Sequence, residues 1–388
     1  MSAPTAITGA RIFDGTRWHE DKILLFADGR ITALADQESV PDGAAIVAAE
    51  GLLAVPGFID LQVNGGGGVL LNEEPDVHGI ATICAAHAQF GTTALLPTLI
   101  TDTRETTAKT IAAGRQAKAQ SVPGFLGLHL EGPHLSVARK GAHDPALIRP
   151  MEQDDLERML ACKGAFEAMM VTVAAESVTP AQVSALAAAG IVVSLGHSNT
   201  GYETVRRLAE AGARTVTHLF NAMSPLGHRE PGMVGAALDI GTLHAGIIAD
   251  GFHVDPVSMG VALRAKNGPG RIFIVTDAMS TIGSDITTFK LNGRDIFREG
   301  GRLTLADGTL AGADIDMLSS VLFAHRTLGL PLEDALRMAS LYPAEAVRVN
   351  ERKGSLQAGK DADFVLLTPE LAMHSTWIGG TCVFRKNA

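Results

Sequence analysis

The sequence predicts an α/β fold: a (β/α)8 TIM-like barrel with a small β-sandwich domain built from both chain ends. Two observations support this prediction. Eight short apolar runs alternate with helical patterns in the middle of the chain, and both ends alternate polar and apolar residues in period two. The length of 388 residues allows a large barrel with an appended domain, and 46% hydrophobic against 19% charged residues disfavours disorder.

The eight apolar runs are rich in Val, Ile and Leu, and each predicts one barrel strand: 52–64, 92–100, 124–132, 168–176, 191–198, 214–223, 244–252 and 271–279. Several segments between them carry apolar residues at the i, i+3, i+4 spacing of a helix. Further helices around 313–327 and 331–349 are expected to close the barrel. The alternative, an open doubly wound sheet, needs a G-x-G-x-x-G loop after its first strand, and NGGGG at 64–68 lacks that order.

The two chain ends predict strands separated by Gly and Asp-Gly turns. We expect residues 1–55 and 353–388 to form one small β domain, which leaves 56–352 for the barrel.

Composition excludes several classes of partner. With 32 basic and 42 acidic residues the formal charge is −10, and no basic run favours nucleic acid. No stretch of about 18 apolar residues predicts a membrane span, and the N-terminal residues do not resemble a signal peptide. Cys84, Cys162 and Cys382 are far apart and predict free thiols. We therefore expect a cytoplasmic protein that binds a small molecule.

Polar residues end four of the predicted strands. Glu131 ends the third, with His129 on the same face, and His197, His218 and Asp277 end the fifth, sixth and eighth. Side chains at these strand ends line the active site of a barrel. A carboxylate and two neutral imidazoles suit one Zn²⁺ per chain, although Fe²⁺, Co²⁺ or Mn²⁺ also fit such ligands. Asp277 is then the base that accepts a proton from a metal-activated water.

The first strand carries Gln62 and Asn64 where many metal-dependent barrel hydrolases have His-x-His. Amide oxygens are poor ligands for a borderline-soft ion, so this pair predicts a weakened or vestigial second metal position. We expect one metal ion, with these amides and His129 orienting water or neighbouring ligands.

The set His197, His218 and Asp277 on strands five, six and eight resembles the amidohydrolase superfamily, as does the split β domain with its GSLQAGKDADFVLL segment. More narrowly, the chain resembles the N-acetylglucosamine-6-phosphate deacetylases, and this resemblance covers nearly the whole chain. The motifs that show it are PGFIDLQVNGGGG, LGLHLEGPHL with KGAHDP, SLGHSNT, THLFNAM with REPG, ADGFH and TDAM. The resemblance implies hydrolysis of the acetamido group of N-acetyl-D-glucosamine 6-phosphate during amino-sugar catabolism and recycling. It also implies a homodimer.

The resemblance further assigns roles to residues. Glu131, His197 and His218 would bind the metal, Asp277 would transfer the proton, and His253 would polarise the acetyl carbonyl. His143 and Arg229 would bind phosphate, with Arg229 reaching into the neighbouring subunit's site. Further substrate contacts are implied at Ala142, Asn221 and Ala222, and more loosely at Asp250, Leu310, Ala311, Gly312 and Ala313.

Three alternatives remain. A deacetylase of the galactosamine epimer stays open. Cyclic-amide hydrolases usually keep His-x-His on strand one and a carboxylated lysine on strand four, and the run 168–176 has no lysine. A non-catalytic barrel should have lost metal ligands or the base, yet Glu131, His197, His218 and Asp277 are all present.

His87 matches no motif and is expected to be a surface or helix residue.

Overall fold

The computed structural model describes residues 3–386 and begins with seven short strands. They are β1 (Thr5–Thr8), β2 (Arg11–Phe13), β3 (Trp18–His19), β4 (Lys22–Ala27), β5 (Arg30–Asp36), β6 (Ala45–Ala48) and β7 (Leu53–Pro56). Four of them form one sheet in the order β5-β4-β1-β6, and the other three join a second sheet with strands from the end of the chain.

The middle of the chain alternates strands with helices. Its elements are β8 (Phe58–Val63), β9 (Gly65–Gly66), β10 (Val69–Leu70), α1 (Val77–Ala88), β11 (Thr92–Ile100), α2 (Arg104–Ala119), β12 (Gly127–Glu131), α3 (Gln153–Leu160), β13 (Ala168–Val173), α4 (Pro180–Ala188), β14 (Val192–Leu195), α5 (Tyr202–Glu210), β15 (Thr215–Val216), α6 (Gly232–Asp239), β16 (His244–Ile248), α7 (Pro256–Ala265) and β17 (Ile272–Val275). Eight of these strands form one parallel sheet in the order β17-β16-β15-β14-β13-β12-β11-β8. The predicted barrel is confirmed, and each predicted run contains one of its strands.

Alternate residues of the barrel strands belong to two separate buried clusters. Leu128, Leu130 and Val171 pack with residues of the surrounding helices. Leu61 and Phe273 belong to a second cluster, together with Ile59, Leu96, Met170 and Val275. This alternation is the one that strand geometry requires, and it points His129 and Glu131 inward.

An antiparallel sheet follows the last barrel strand and was not predicted. It consists of β18 (Thr288–Leu291), β19 (Arg294–Glu299), β20 (Arg302–Thr304) and β21 (Leu310–Ala313). Each of its strands buries only one or two apolar side chains, so its hydrophobic pattern is weak. The helices α8 (Met317–Arg326), α9 (Leu332–Ala339) and α10 (Leu341–Ala346) come next. The helix expected from about residue 313 therefore starts later, because 310–313 is a strand.

The chain ends with β22 (Phe364–Leu367), β23 (Met373–Ile378) and β24 (Thr381–Arg385), which complete a six-stranded sheet in the order β24-β23-β22-β7-β2-β3. A buried cluster joins the two end-domain sheets, with Phe26 from one and Phe364 and Trp377 from the other. The rings of Phe364 and Trp377 stack at 5.2 Å between centroids. The predicted β sandwich from both chain ends is confirmed, while its exact boundaries stay a prediction.

No helix within residues 3–386 combines the length and apolar character that a membrane span requires.

His87 lies on α1, as expected for a helix residue, but its side chain is fully buried. Its Nε2 lies 2.9 Å from the carbonyl oxygen of Gly65, so Nε2 carries the proton and supports the glycine run that follows β8. Burial lowers the pKa of His87 to about 4. The folded protein therefore binds a proton at this ring less readily than the unfolded chain does.

We predict that this ring makes the protein less stable in acid. The unfolded chain binds the proton below about pH 6.5 and the folded protein only below about pH 4, so acid favours unfolding between these values. The expected loss from His87 is about 1.4 kcal/mol per pH unit within that window. The measurement is the free energy of unfolding in urea at several pH values for the parent and for His87→Gln, which keeps a donor to Gly65. The variant should lose less stability on acidification, and equal slopes would contradict the prediction.

Candidate active site

Four predicted residues meet at the carboxyl end of the barrel. Glu131 is the last residue of β12, and His197, His218 and Asp277 each follow the end of β14, β15 or β17 by two residues. The last three have positive φ angles of 48°, 28° and 53°, which marks the turn from each strand into the site. Glu131, His197 and His218 are at most 4% exposed.

The first three side chains present a set of ligand atoms. Nε2 of His197 and Nε2 of His218 each lie 3.2 Å from Oε1 of Glu131, and 3.0 Å from each other. Nδ1 of His197 lies 2.8 Å from the carbonyl oxygen of Arg139, so Nδ1 carries the proton and Nε2 offers a lone pair. Tetrahedral ligands at about 2.0–2.1 Å from a metal are about 3.3 Å apart. These residues therefore fit a divalent cation.

The charges agree with a metal site. Burial opposes ionisation of Glu131, but hydrogen bonds with His197 and His218 outweigh it and hold the pKa of this carboxyl well below its usual range. Burial, reinforced by repulsion from Glu131, raises the pKa of Asp277. One carboxylate is thus held ionised for binding a cation, while the other is poised to accept a proton.

Gln62 and Asn64 connect these two carboxylates. Nε2 of Gln62 donates to Oε1 and Oε2 of Glu131 at 3.2 and 3.1 Å and to Oδ1 of Asp277 at 3.2 Å. Nδ2 of Asn64 donates to the same Asp277 oxygen at 2.7 Å. The amides are therefore hydrogen-bond donors between two acids.

His129 lies deeper in the barrel. Its Nδ1 is 3.0 Å from the carbonyl oxygen of Leu61, and its Nε2 is 2.7 Å from Oγ1 of Thr172. Burial lowers its pKa to about 4, so the ring is neutral. His129 supports the strands beneath the site and does not line the pocket.

His253 is held by Asp250. Nδ1 of His253 lies 2.6 Å from Oδ2 of Asp250, and Oδ1 of Asp250 accepts from the backbone N–H groups of Phe252 and His253. This arrangement leaves Nε2 of His253 free for the pocket, which the ring lines. Asp250 contacts His253 and does not line the pocket itself.

His143 lies beside the ligand atoms. Its ring packs edge-on against His197, with 4.4 Å between centroids, and together with Glu131 and His197 it belongs to a group whose ligand atoms lie within 4.8 Å. Nδ1 of His143 accepts from the backbone N–H of Thr101 at 3.3 Å, so Nε2 carries the proton. Burial lowers the pKa of His143 to about 3. The ring is thus a neutral donor rather than a further metal ligand.

These side chains line a cavity of about 250 Å³. It brings together most of the residues that the sequence singled out: Asn64, Glu131, Ala142, His143, His197, His218, Asn221, Ala222, His253, Asp277, Leu310, Ala311 and Gly312. The sequence analysis missed six lining residues, namely Ile100, Gly141, Ile248, Met279, Leu291 and Thr309. Ile100 and Ile248 end barrel strands, so the rule that found Glu131 could have found them. Leu291 ends β18 of the unpredicted sheet, and Thr309 lies in the loop just before β21.

Gln62, Ala313 and Arg229 are predicted residues that also lie off the cavity, and the contacts of Gln62 are given above. Ala313 ends β21 next to the lining residue Gly312. Arg229 is exposed on the loop before α6 and makes no hydrogen bond or ion pair with any residue of the range 3–386. A cation that the sequence analysis missed, Arg294 of β19, donates from Nη2 to the carbonyl oxygen of Ala142 at the cavity edge.

Comparison with known proteins identifies the family. The model of the amidohydrolase family matches residues 53–383, which is most of the chain. The chain belongs to the amidohydrolase family. The match covers the whole barrel of this amidohydrolase and reaches into the C-terminal part of the end domain.

Relatives of this amidohydrolase are deacetylases of amino-sugar phosphates. It is 45% identical to an N-acetylgalactosamine-6-phosphate deacetylase of Shewanella sp. (strain ANA-3), over 85% of this chain and 83% of the relative. It is 35% identical to an N-acetylglucosamine-6-phosphate deacetylase of Haemophilus influenzae, over 90% and 91% of the two chains. The resemblance read from the motifs is confirmed.

Solved structures agree with these relatives. N-acetylglucosamine-6-phosphate deacetylase from Pasteurella multocida superposes with a TM-score of 0.93 at 35% identity, covering 99% of this chain and 100% of the other. A mutant of the Mycobacterium smegmatis enzyme, in complex with N-acetyl-D-glucosamine-6-phosphate, superposes with a TM-score of 0.88 at 32% identity, covering 98% and 100%. The amidohydrolase barrel and the end domain therefore share the fold of these deacetylases.

Proposed function

We propose that this amidohydrolase hydrolyses the acetamido group of N-acetyl-D-glucosamine 6-phosphate to D-glucosamine 6-phosphate and acetate. The observation that carries the proposal is the convergence of one oxygen of Glu131 and the Nε2 atoms of His197 and His218, within 3.2 Å of one another, in the pocket that Asp277 lines. The curated and structural relatives support the substrate class. Such a reaction serves amino-sugar catabolism and recycling.

A divalent ion held by Glu131, His197 and His218 would supply Lewis acidity that activates water and polarises the acetyl carbonyl. Zn²⁺ is the proposed ion, and Fe²⁺, Co²⁺ and Mn²⁺ also accept two imidazoles and a carboxylate. Asp277 takes the proton of the attacking water through the carboxylate that Gln62 and Asn64 orient. It then delivers this proton to the leaving nitrogen, because an amine anion is a very poor leaving group.

His253 assists at the carbonyl oxygen. The Asp250 carboxylate accepts from Nδ1–H at 2.6 Å and fixes the ring plane. With a proton on Nε2, the ring donates to the negative charge that develops on the acetyl oxygen. We assign Asp250 to positioning this ring, and not to a contact with the sugar.

The substrate needs hydrogen-bond donors and acceptors around its sugar ring and a cation at its phosphate group. We assign the ring contacts to Ala142, Asn221 and Ala222 and to the segment Leu310–Ala313. The Nε2–H group of His143 lies beside the metal ligands, which favours a sugar or phosphate oxygen near the reacting end as its acceptor.

We assign phosphate binding to Arg229 of a neighbouring subunit in a homodimer. Its loop is anchored, because Oε1 of Glu230 accepts from the backbone N–H groups of Tyr202 and Gly232 at 2.9 and 3.0 Å. The Arg229 guanidinium itself is exposed and has no partner among residues 3–386, so its donors remain available to a phosphate.

We predict that Arg229→Ala raises KM for the phosphorylated substrate about 10- to 100-fold with little change in kcat, because a charge-assisted contact is lost that acts equally in ground and transition states. Removing the phosphate from the substrate should cost a similar factor, and the variant should then show no further loss. The control is Arg207→Ala, an exposed arginine on α5. Steady-state kinetics on both substrates check the prediction. An unchanged KM in Arg229→Ala would remove this residue from the phosphate site.

The galactosamine epimer is the second candidate substrate. The Shewanella relative that is named for it reaches 45% identity, against 35% for the glucosamine enzyme of Haemophilus. The experiment is acetate release from both 6-phosphates, and ring opening of dihydroorotate, with and without chelator. The main proposal predicts the higher kcat/KM for the glucosamine compound. A higher value for the galactosamine compound assigns the enzyme to the epimer, turnover of dihydroorotate alone assigns it to cyclic amides, and no turnover would favour a non-catalytic barrel.

We also infer a cytoplasmic location. Sugar phosphates are intracellular compounds, and the thiols of Cys84 and Cys162 are free and buried, as expected in a reducing compartment.

A further inference from the structure

We propose that Asp60 is a positioning residue that fixes Asp277 and Gln62 across the seam where the barrel closes. The inference rests on the proposed function for its kinetic consequence, but its structural consequence can be tested without activity. Asp60 lies in the middle of β8, is 0% exposed and does not line the active-site cavity. It therefore cannot touch the substrate.

The seam lies between β8 and β17, which stand at the two ends of the strand order. Backbone hydrogen bonds join the two sides only beyond the end of β17. The N–H of Asp277 donates to the carbonyl oxygen of Gln62 at 3.0 Å, and the N–H of Asn64 donates to that of Ala278 at 2.8 Å. A parallel ladder would continue with further backbone pairs towards the start of both strands.

Asp60 supplies the next contact along this seam. Its Oδ1 accepts from the backbone N–H of Thr276 at 3.2 Å, and its Oδ2 accepts from the Thr276 hydroxyl at 2.5 Å. The carboxylate thus takes the place of a backbone carbonyl of β8. It holds the residue immediately before Asp277, at the point where the chain leaves β17 and turns to a φ of 53°.

The same carboxylate also holds the other side of the seam. Oδ1 of Asp60 accepts from the backbone N–H of Gln62 at 3.2 Å, and the side-chain amide of Gln62 donates to both Glu131 and Asp277. One buried acid therefore fixes the backbone of the proposed base and the backbone of the amide that orients it.

The contacts favour an acid at this position. Three donors converge on Asp60: two backbone N–H groups and one hydroxyl. An ionised carboxylate accepts from all three, whereas an asparagine of the same shape keeps one neutral oxygen for the two N–H groups and turns its NH₂ group to the Thr276 hydroxyl, which must then accept instead of donate. A buried carboxylate is costly, and burial raises the pKa of Asp60 to about 7. Its presence is best explained by the geometry that it imposes.

The first test is amide hydrogen exchange in the segment 272–280 of Asp60→Asn. We expect exchange there at least about tenfold faster than in the parent, because the neutral amide oxygen accepts more weakly than the carboxylate and the Thr276 hydroxyl loses its acceptor, so the seam opens more readily. The matched control is Thr93→Val, which removes the 3.3 Å hydrogen bond from Oγ1 of Thr93 to the carbonyl oxygen of Phe58 at the other end of β8. The control should leave the segment unchanged. Unchanged exchange in Asp60→Asn would overturn the proposal.

The second test separates positioning from general stability. In Asp60→Asn, kcat should fall about 10- to 100-fold while KM and bound metal stay within twofold, since a misplaced base affects the chemical step most. Adding Thr276→Val should cause little further loss, because both changes break the same contact. A loss of activity that only follows a loss of metal or of folded protein would overturn the proposal.

Two further outcomes are also informative. If Asp60→Asn does not fold, Thr276→Val, which removes only the hydroxyl donor, takes its place in the exchange experiment, and unchanged exchange in that variant overturns the proposal. If the parent enzyme releases no acetate from either amino-sugar phosphate, the proposed function fails. The exchange experiment then still decides the role of Asp60.

Discussion

Replacing Asp277 by asparagine is expected to lower kcat for acetate release by about two to four orders of magnitude, the usual contribution of a general base and acid. An amide keeps an oxygen for the donors of Gln62 and Asn64, but it cannot take a proton from water or return one to the leaving nitrogen. Folding and metal binding should be unaffected, because Asp277 is not among the three ligands. The measurements are kcat, metal content and circular dichroism.

The control is Asp285→Asn, which removes an exposed carboxylate a few residues further along the chain. Its kinetics should match those of the parent. If Asp277→Asn keeps activity within a few-fold of the parent, another group transfers the proton and the proposed mechanism is wrong.

Replacing Glu131 by glutamine is expected to weaken metal binding by more than about 100-fold, since a ligand should matter more than the groups that merely orient ligands. The neutral amide removes the only charged donor from the set and leaves two buried imidazoles 3.0 Å apart. Acetate release should fall with the bound metal. Metal analysis after dialysis and competition with a chelating dye measure both effects.

Glu176→Gln is the matched control. Glu176 accepts from the backbone N–H of Asn199 at 2.8 Å near the same rim, but it does not line the cavity. This variant should keep its metal. If Glu131→Gln binds one ion as tightly as the parent, the metal site lies elsewhere.

The sequence predicts much of this site because barrel geometry is regular. A side chain at the carboxyl end of a parallel strand reaches the rim, and the alternation of strand residues separates Glu131 from Leu130. The three short motifs LHLEG, SLGHS and THLFNAM are therefore enough to predict that Glu131, His197 and His218 lie close together. The same rule, applied to apolar residues, could have found Ile100 and Ile248.

Other features depend on contacts that no local pattern reports. The sheet from β18 to β21 has short polar strands with little buried surface, so its sequence resembles a loop. His87 reads as an ordinary helix residue, and only the packing of α1 against the glycine run buries it. Asp60 meets Thr276 across 216 positions of sequence, so its role depends on how the barrel closes. The phosphate contact that we propose for Arg229 requires a second chain, which one sequence does not describe.

The most direct test of the central claim, a deacetylase with one metal ion per chain, is a metal titration of acetate release. Metal-free enzyme at a concentration far above the metal's dissociation constant is titrated with Zn²⁺, and the initial rate with N-acetyl-D-glucosamine 6-phosphate is recorded at each step. We predict that the rate rises linearly and reaches its plateau at one ion per chain. A plateau that requires two ions per chain, or acetate release that does not depend on metal, would contradict the claim.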